Sequence, residues 1–233
     1  MVAGACYIVF NLTFCDTTQY AVPGNPKVFA NTTALASFYD DYAKTMYDNF
    51  EKAMQQVACE APSTEKYSLA RTCDDCRVAY KNWICSVAIP RCEDFSNDAD
   101  YLQMRNIGQP FPNGTMVDPQ LTKDFGSFKA YNGSRSDRID EQIQPGPYKE
   151  VLPCDDLCYD IVQSCPPVLG FSCPTPHMLN FNTSYGHRRT AGDNVTCNYP
   201  GSAHYKSTSS TVLVSWFMVH CALGGMVTWL LMG

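Results

Sequence analysis

The sequence predicts a mainly α-helical, disulfide-rich domain with long loops, followed by an apolar carboxyl-terminal tail. Three observations lead to this fold class. Three segments carry helix signals, the 233 residues include 13 cysteines, and residues 211–232 contain no Asp, Glu, Lys or Arg. A hydrophobic content of 45% is enough to build a core.

The first predicted element is a long amphipathic helix over residues 31–58. Charged side chains lie between its apolar residues, so one face should be buried. The apolar residues recur at steps of three and four, namely Leu35, Phe38, Tyr42, Met46, Phe50, Ala53 and Val57.

A second helix is predicted from Thr72 to about Val87, ending before Pro90. Thr72 followed by acidic residues resembles a capping box. At about 100° per residue, Cys76 and Cys85 project from opposite faces, so they should bond two different neighbours.

A third, shorter helix is predicted over residues 155–165, between Pro153 and the Pro166-Pro167 pair. Cys154, Cys158 and Cys165 fall on one stripe of it. Their separation along the axis suits separate disulfides better than one zinc site.

Residues 93–153 contain no cysteine and are rich in Gly, Pro, Asn and Asp. No clear periodicity emerges, so we interpret them as a loop-rich surface insertion, either contacting a partner or merely tolerated. Four aromatic residues are candidate partner anchors, with loop packing as the alternative: Phe111, Phe125, Phe128 and Tyr131.

The carboxyl-terminal region has the order of a glycosylphosphatidylinositol attachment signal. Small residues around Ser202 begin a polar spacer, residues 201–210, and the apolar tail, residues 211–233, follows. The favoured hypothesis is lipid attachment at Ser202 or a neighbour. A plain transmembrane anchor is the alternative, because the tail is long enough to cross a bilayer.

Cysteines and glycosylation motifs together predict the compartment. Twelve cysteines lie between Cys6 and Cys197, an even number that suggests six disulfides, while Cys221 lies alone in the tail. Six Asn-x-Ser/Thr motifs predict a secreted, oxidised and glycosylated domain, at Asn11, Asn31, Asn113, Asn132, Asn182 and Asn194. Because the first residues do not resemble a signal peptide, we expect this chain to be the carboxyl-terminal part of a longer precursor or the product of a truncated gene model.

Charge and motif content disfavour several function classes. The formal net charge of −6 excludes a basic nucleic-acid binder. Redox chemistry or zinc binding by Cys73 and Cys76 is disfavoured by the intervening acids and the predicted oxidising compartment. The acidic cluster of residues 93–100 lacks EF-hand spacing. His177 and His187 have no nucleophile motif nearby, so we predict no enzyme and no cofactor.

The cysteine spacing resembles that of a known family. Residues 73–92, CDDCRVAYKNWICSVAIPRC, and residues 153–166, with Cys-x3-Cys-x6-Cys, are similar to the frizzled-type cysteine-rich domain. FCDTTQYAVPGNP from Phe14, together with YKNWICSVAIPRC, most closely resembles the fungal stretch-activated calcium-channel accessory subunits of the mating-pheromone-induced-death family. The resemblance covers nearly everything from Cys6 to Cys197, within an ectodomain of residues 1–200.

The resemblance implies a disulfide pairing. The frizzled-type pattern, carried over to this sequence, joins Cys6 with Cys92, Cys15 with Cys85, Cys76 with Cys165, Cys154 with Cys197, and Cys158 with Cys173. Cys59 and Cys73 remain as a sixth pair. The insertion after Cys92 departs from the frizzled pattern.

The resemblance also implies a function. It implies a non-enzymatic regulatory subunit that reaches the extracellular face of the plasma membrane through the secretory pathway. There it would bind a pore-forming calcium-channel subunit and support calcium influx, with its tail at the membrane. The alternative is a receptor-like ectodomain that binds a lipid or glycan, and an apolar groove beside the long helix would support that alternative.

Overall fold

The computed structural model describes residues 5–59, 70–189 and 195–202, which form helices around a disulfide-rich core together with two small antiparallel sheets. The elements in chain order are β1 (Cys6–Val9), β2 (Tyr20–Pro23), α1 (Thr32–Met54), α2 (Cys73–Ala88), β3 (Arg91–Glu93), β4 (Leu102–Arg105), α3 (Pro119–Phe125), α4 (Lys129–Asn132), α5 (Asp137–Gln142), β5 (Tyr148–Val151), α6 (Asp155–Ser164), a 3-10 turn (Pro167–Leu169) and α7 (Phe181–Ser184).

Helix α1 begins after Asn31, whose side-chain oxygen accepts a hydrogen bond of 2.8 Å from the Thr33 amide. It ends at Met54, before the predicted end at residue 58. The predicted apolar stripe is only partly buried, and the deeper stripe is rotated around the helix toward Tyr39 and Ala43. The helix is therefore covered on a broad face.

The α1 helix also holds the preceding loop. Asp40 is 6% exposed, and its carboxylate accepts hydrogen bonds of 2.8 Å from the backbone amides of Thr13, Phe14 and Cys15. These three charge-assisted bonds satisfy a carboxylate that would otherwise be costly to bury.

Helix α2 confirms the predicted capping box. The Thr72 hydroxyl accepts from the Asp75 amide at 3.2 Å, and the Asp75 carboxylate accepts from the Thr72 amide at 2.7 Å. The α2 helix packs between α1 and α6, and the rings of Phe50 and Tyr80 stack 4.0 Å apart between α1 and α2. The predicted third helix is confirmed as α6.

Six disulfides cross-link these elements. Cys76 and Cys85 leave opposite faces of α2, the first toward α6 and the second toward the loop after β1. The bonds are Cys6–Cys92, Cys15–Cys85, Cys59–Cys73, Cys76–Cys165, Cys154–Cys197 and Cys158–Cys173, that is, the five pairs that the family resemblance implies and the pair of cysteines that it leaves over.

The insertion, residues 93–153, has more regular structure than its sequence indicates. Strand β5 lies at the centre of an antiparallel sheet of order β3-β5-β4, and three short helices connect β4 to β5. All four residues of β5 are buried. The described residues thus contain more helix than strand, as the mainly α prediction has it, and the five short strands are an addition that the sequence pattern did not indicate.

No helix within the described ranges has the length and hydrophobicity to cross a bilayer. The apolar tail, Cys221 and most of the polar spacer lie outside the residues that the structure describes.

Candidate docking surface

Three of the four predicted aromatic anchors lie together. The rings of Phe125 and Tyr131 stack with centroids 4.9 Å apart, and Phe128 approaches Tyr131 edge-on at 6.3 Å. Phe128 is 56% exposed. We call these residues, Phe125, Phe128 and Tyr131, the insertion aromatic cluster. Phe111 is not part of this stack and packs against Phe95 at 5.8 Å.

A groove of about 460 Å³ runs beside the long helix. We call it the α1–α2 groove. The helices supply mostly apolar side chains, Tyr42, Met46, Trp83, Ile84, Val87 and Ala88, and the insertion supplies a polar wall, Lys129 and residues 134–138. The groove therefore exists only because the insertion folds back against α1 and α2. In the chain, Lys129 of the polar wall directly follows Phe128 of the insertion aromatic cluster.

Two of the three cations in the polar wall are paired within the chain. Lys129 lies 3.3 Å from the Asp137 carboxylate, and Arg135 donates to Glu150 at 2.6 Å. The guanidinium of the third, Arg138, lies 4.1 Å from the Phe38 ring centroid and 4.9 Å from that of Tyr42. This arrangement brings a cation and two aromatic rings of α1 to the edge of the groove.

The polar wall is held by a buried ionic network behind it. Glu150 of β5 is fully buried and accepts hydrogen bonds of 2.6 Å from both Arg105 and Arg135. The same two arginines donate to the carbonyls of Thr183 and Ser184 on α7. Burial would raise the pKa of the Glu150 carboxyl, but the two guanidinium groups outweigh it, so the pKa lies below its usual value.

The predicted lipid-attachment residue, Ser202, lies inside the fold, with 4% exposure. Arg91 donates to its carbonyl oxygen at 3.0 Å and to its hydroxyl at 3.2 Å, and the hydroxyl donates to Tyr199 O at 2.6 Å. Burial lowers the pKa of Arg91, although an arginine stays protonated near neutral pH.

Five of the six predicted glycosylation sites lie among the described residues, and all five asparagines are exposed. Asn194 lies outside the described residues. Two exposed asparagines already have structural roles, since Asn31 caps α1 and the Asn113 side chain accepts from the Thr115 amide at 2.9 Å.

Two residues of the acidic cluster, residues 93–100, form ion pairs with basic side chains. Asp98 pairs with Lys149 at 2.9 Å, and Asp100 pairs with Arg189 at 2.9 Å. No group of three or more His, Cys, Asp or Glu side chains in the described part of the chain is arranged to hold a metal ion. His187 lies 3.2 Å from Asp155, with most of its side chain exposed.

Sequence reasoning missed the polar wall of the groove. Arg138 and Tyr42 are far apart in sequence, and whereas Tyr42 belongs to the predicted apolar stripe of the long helix, Arg138 belongs to no motif. The sequence signal is the grouping of Lys129, Arg135 and Arg138 close to aromatic residues in an otherwise acidic chain. This grouping does not predict which helix the three side chains contact.

Comparison with known proteins gives the family. The family profile described as "Mid1: Stretch-activated Ca2+-permeable channel component" matches residues 1–203. The chain is 40% identical over 213 residues to the stretch-activated cation channel yam8 of Schizosaccharomyces pombe, covering 91% of this chain and 38% of that protein. It is 35% identical over 202 residues to the stretch-activated cation channel MID1 of Saccharomyces cerevisiae, covering 85% and 32%.

The chain thus spans about a third of the length of these relatives. A more distant similarity, 23% over 184 residues, links it to the MID1 protein of Cryptococcus neoformans. No solved structure matches it. With 203 of 233 residues matched by the family profile, the chain belongs to the Mid1 family of stretch-activated Ca2+-permeable channel components.

Proposed function

We propose that this chain is a non-enzymatic regulatory subunit that binds the extracellular side of a pore-forming calcium-channel subunit and supports calcium influx. Membership of a family described as a channel component supports the assignment to a channel complex. The names of the relatives, stretch-activated cation channels, point in the same direction.

The observation that carries the docking role is the insertion aromatic cluster together with the α1–α2 groove, which the same stretch of the insertion helps to line. An exposed aromatic side chain such as Phe128 is typical of the residues that dominate the energy of protein interfaces, and a groove with one apolar side offers a place for a partner side chain. The six disulfides hold helices, hairpin and sheet together, so that this surface is presented with little loss of conformational entropy on binding.

We further propose that the domain is a glycosylated frizzled-like ectodomain that passes through the secretory pathway to the outer face of the plasma membrane. The six disulfides and the exposed asparagines of the described glycosylation motifs support this route. The uncharged tail of residues 211–232 would hold the domain at the membrane, through a lipid anchor or as a spanning helix, and so raise its concentration near the channel.

The second candidate is a receptor-like ectodomain that binds a lipid or a glycan. The α1–α2 groove favours it, because about 460 Å³ beside the long helix falls within the size range of small-molecule sites. Mass spectrometry of the purified native glycoprotein distinguishes the two. A stoichiometric lipid or free glycan that stays bound through purification supports the second candidate.

Affinity purification of the tagged full-length protein in mild detergent tests the favoured function. We expect the pore-forming channel polypeptide to be recovered with it, and Phe128→Ser to lower that recovery about tenfold because an exposed anchor is lost. Ile8→Ser is the matched control, since Ile8 is also 56% exposed but lines a different hollow, beside Ser37 and Asp40 on the far side of α1. Recovery of no channel polypeptide with the unmodified protein would contradict the proposal.

A further inference from the structure

Arg138 stands out at the α1–α2 groove because its guanidinium makes no polar contact with any of the described residues. Among the described residues it takes part in no hydrogen bond and no ion pair, and its Nε is buried without a partner. Stacking between Phe38 and Tyr42 favours a cation there but satisfies none of its N–H donors.

The buried Nε of Arg138 is a donor without an acceptor among the described residues, and leaving it so is costly unless something else binds it. A buried donor without an acceptor loses its hydration without compensation, and a charged donor loses more than a neutral one. Arginine presents its donors as a planar fork, which matches the two oxygens of a carboxylate. The geometry of the site therefore calls for an anionic acceptor.

The surroundings narrow the class of acceptor. Facing groups from the neighbouring elements are already paired: Lys129 with Asp137, and Arg135 with Glu150. Among the described residues of the polar wall, Arg138 is thus the cation that can bind an incoming anion. Met46, Trp83 and Val87 give the groove an apolar side, so the anion should be accompanied by an apolar group.

We propose that the α1–α2 groove binds a segment of the partner polypeptide in which a carboxylate side chain is flanked by a large apolar one. The carboxylate pairs with Arg138, and the apolar side chain lies against Met46, Trp83 and Val87. This inference rests on the proposed function, because it assigns the partner to the channel complex. The partner and the groove are complementary in charge, because one Asp or Glu carboxylate of the partner meets the one guanidinium of Arg138.

Charge variants in the full-length protein test it. We expect Arg138→Gln to lower the recovery of the channel polypeptide about tenfold, as for loss of one charge-assisted hydrogen bond, and Arg138→Glu to lower it further. The matched control is Arg188→Gln. Arg188 also stacks on an aromatic ring, Tyr199 at 3.9 Å, but its guanidinium is already paired with Asp156. Recovery with this control should equal that of the unmodified protein.

A second variant tests the inference in case Arg138→Gln or Arg138→Glu fails to fold. Val87→Glu places a carboxylate in the same groove, where it should satisfy Arg138 internally and compete with the partner. We expect it to lower channel recovery while the thermal midpoint stays the same or rises. A photoactivatable benzophenone side chain at Val87 should cross-link to the channel polypeptide.

Three outcomes would overturn the inference. One is full channel recovery with Arg138→Glu and Val87→Glu while Phe128→Ser lowers it, which would leave the proposed function standing. Another is a cross-linked adduct at Val87 with the mass of a lipid, which would assign the groove to a lipid. If the unmodified protein recovers no channel, the proposed function fails and this inference fails with it.

Discussion

The Glu150 carboxylate shows how a single residue holds the insertion in place. It is fully buried in the central strand and pairs with Arg105 and Arg135, whose remaining donors bind the backbone of α4 and α7. Removal of one partner of such a network leaves uncompensated buried charge, which is why breaking it costs more than the pair itself contributes. The groove wall depends on this one side chain, since Arg135 forms part of both.

Replacement of Glu150 should therefore destabilise the domain strongly and in a pH-dependent way. We expect Glu150→Gln to lower the free energy of unfolding at pH 7 by about 3 to 5 kcal/mol, measured by chemical denaturation with disulfides intact. The pKa of Glu150 is lowered in the fold, so its contribution is present above the ordinary value of 4.5 and is lost as the pH falls below it.

The difference in the free energy of unfolding between the unmodified protein and Glu150→Gln should accordingly become smaller as the pH falls below about 4.5. The exposed residue Glu141 supplies the control, and Glu141→Gln should change stability by no more than about 0.5 kcal/mol. A gap that stays constant between pH 7 and pH 3 would show that the charge of Glu150 is not what stabilises the network.

At the scale of the elements, sequence patterns predict those helices whose ends carry local signals. The capping box at Thr72 and the prolines around α6 specify α2 and α6 within the chain itself. Strand β5 has no such pattern, because all four of its residues, Lys149 and Glu150 included, are buried, so polar and apolar positions do not alternate. Its charged residues are buried only because distant arginines and loops pair with them.

The groove could not be predicted for the same reason. Its two sides come from helices α1 and α2 and from residues 129–138, and tertiary packing alone brings them together. Of the predicted aromatic anchors, Phe125, Phe128 and Tyr131 lie within one short stretch and do come together, whereas Phe111 packs elsewhere.

At the start of α1, two substitutions can distinguish the effect of the helix cap on stability from the effect of the glycan. Asn31 caps the helix and also belongs to an Asn-Thr-Thr motif that ends at Thr33. Asn31→Gln should remove both the glycan and the cap, lowering the free energy of unfolding by about 1 kcal/mol beyond any effect of the glycan. Thr33→Ala should remove the glycan alone, because the cap uses the Thr33 backbone amide.

Mass spectrometry of the glycopeptide and denaturation of both enzymatically deglycosylated variants provide the measurement. Equal stability of the two deglycosylated variants would mean that the Asn31 cap contributes nothing to α1.

At the scale of the whole molecule, the disulfides differ in the length of chain they close. Cys76–Cys165 closes a separation of 89 residues between α2 and α6, while Cys59–Cys73 closes one of 14. A cross-link stabilises mainly by reducing the entropy of the unfolded chain, and this effect grows with the logarithm of the loop length.

Removal of the longer link should therefore cost more. We expect the double substitution of Cys76 and Cys165 by Ser to lower the free energy of unfolding by roughly 1.5 kcal/mol more than the same change at Cys59 and Cys73. Disulfide mapping of each variant is the control for altered pairing. Equal losses would indicate that native packing around the sulfurs, not chain entropy, determines their contribution.

If Ser202 is the lipid-attachment residue, as its sequence context predicts, its contact with Arg91 constrains the timing of that processing. An enzyme that cleaves after Ser202 and transfers its carbonyl carbon to an amine has to approach that carbonyl, which is held by Arg91 inside the folded domain. Lipid transfer at Ser202 would thus compete with maturation of the domain, and a slow-folding variant would be modified there more completely than a fast-folding one.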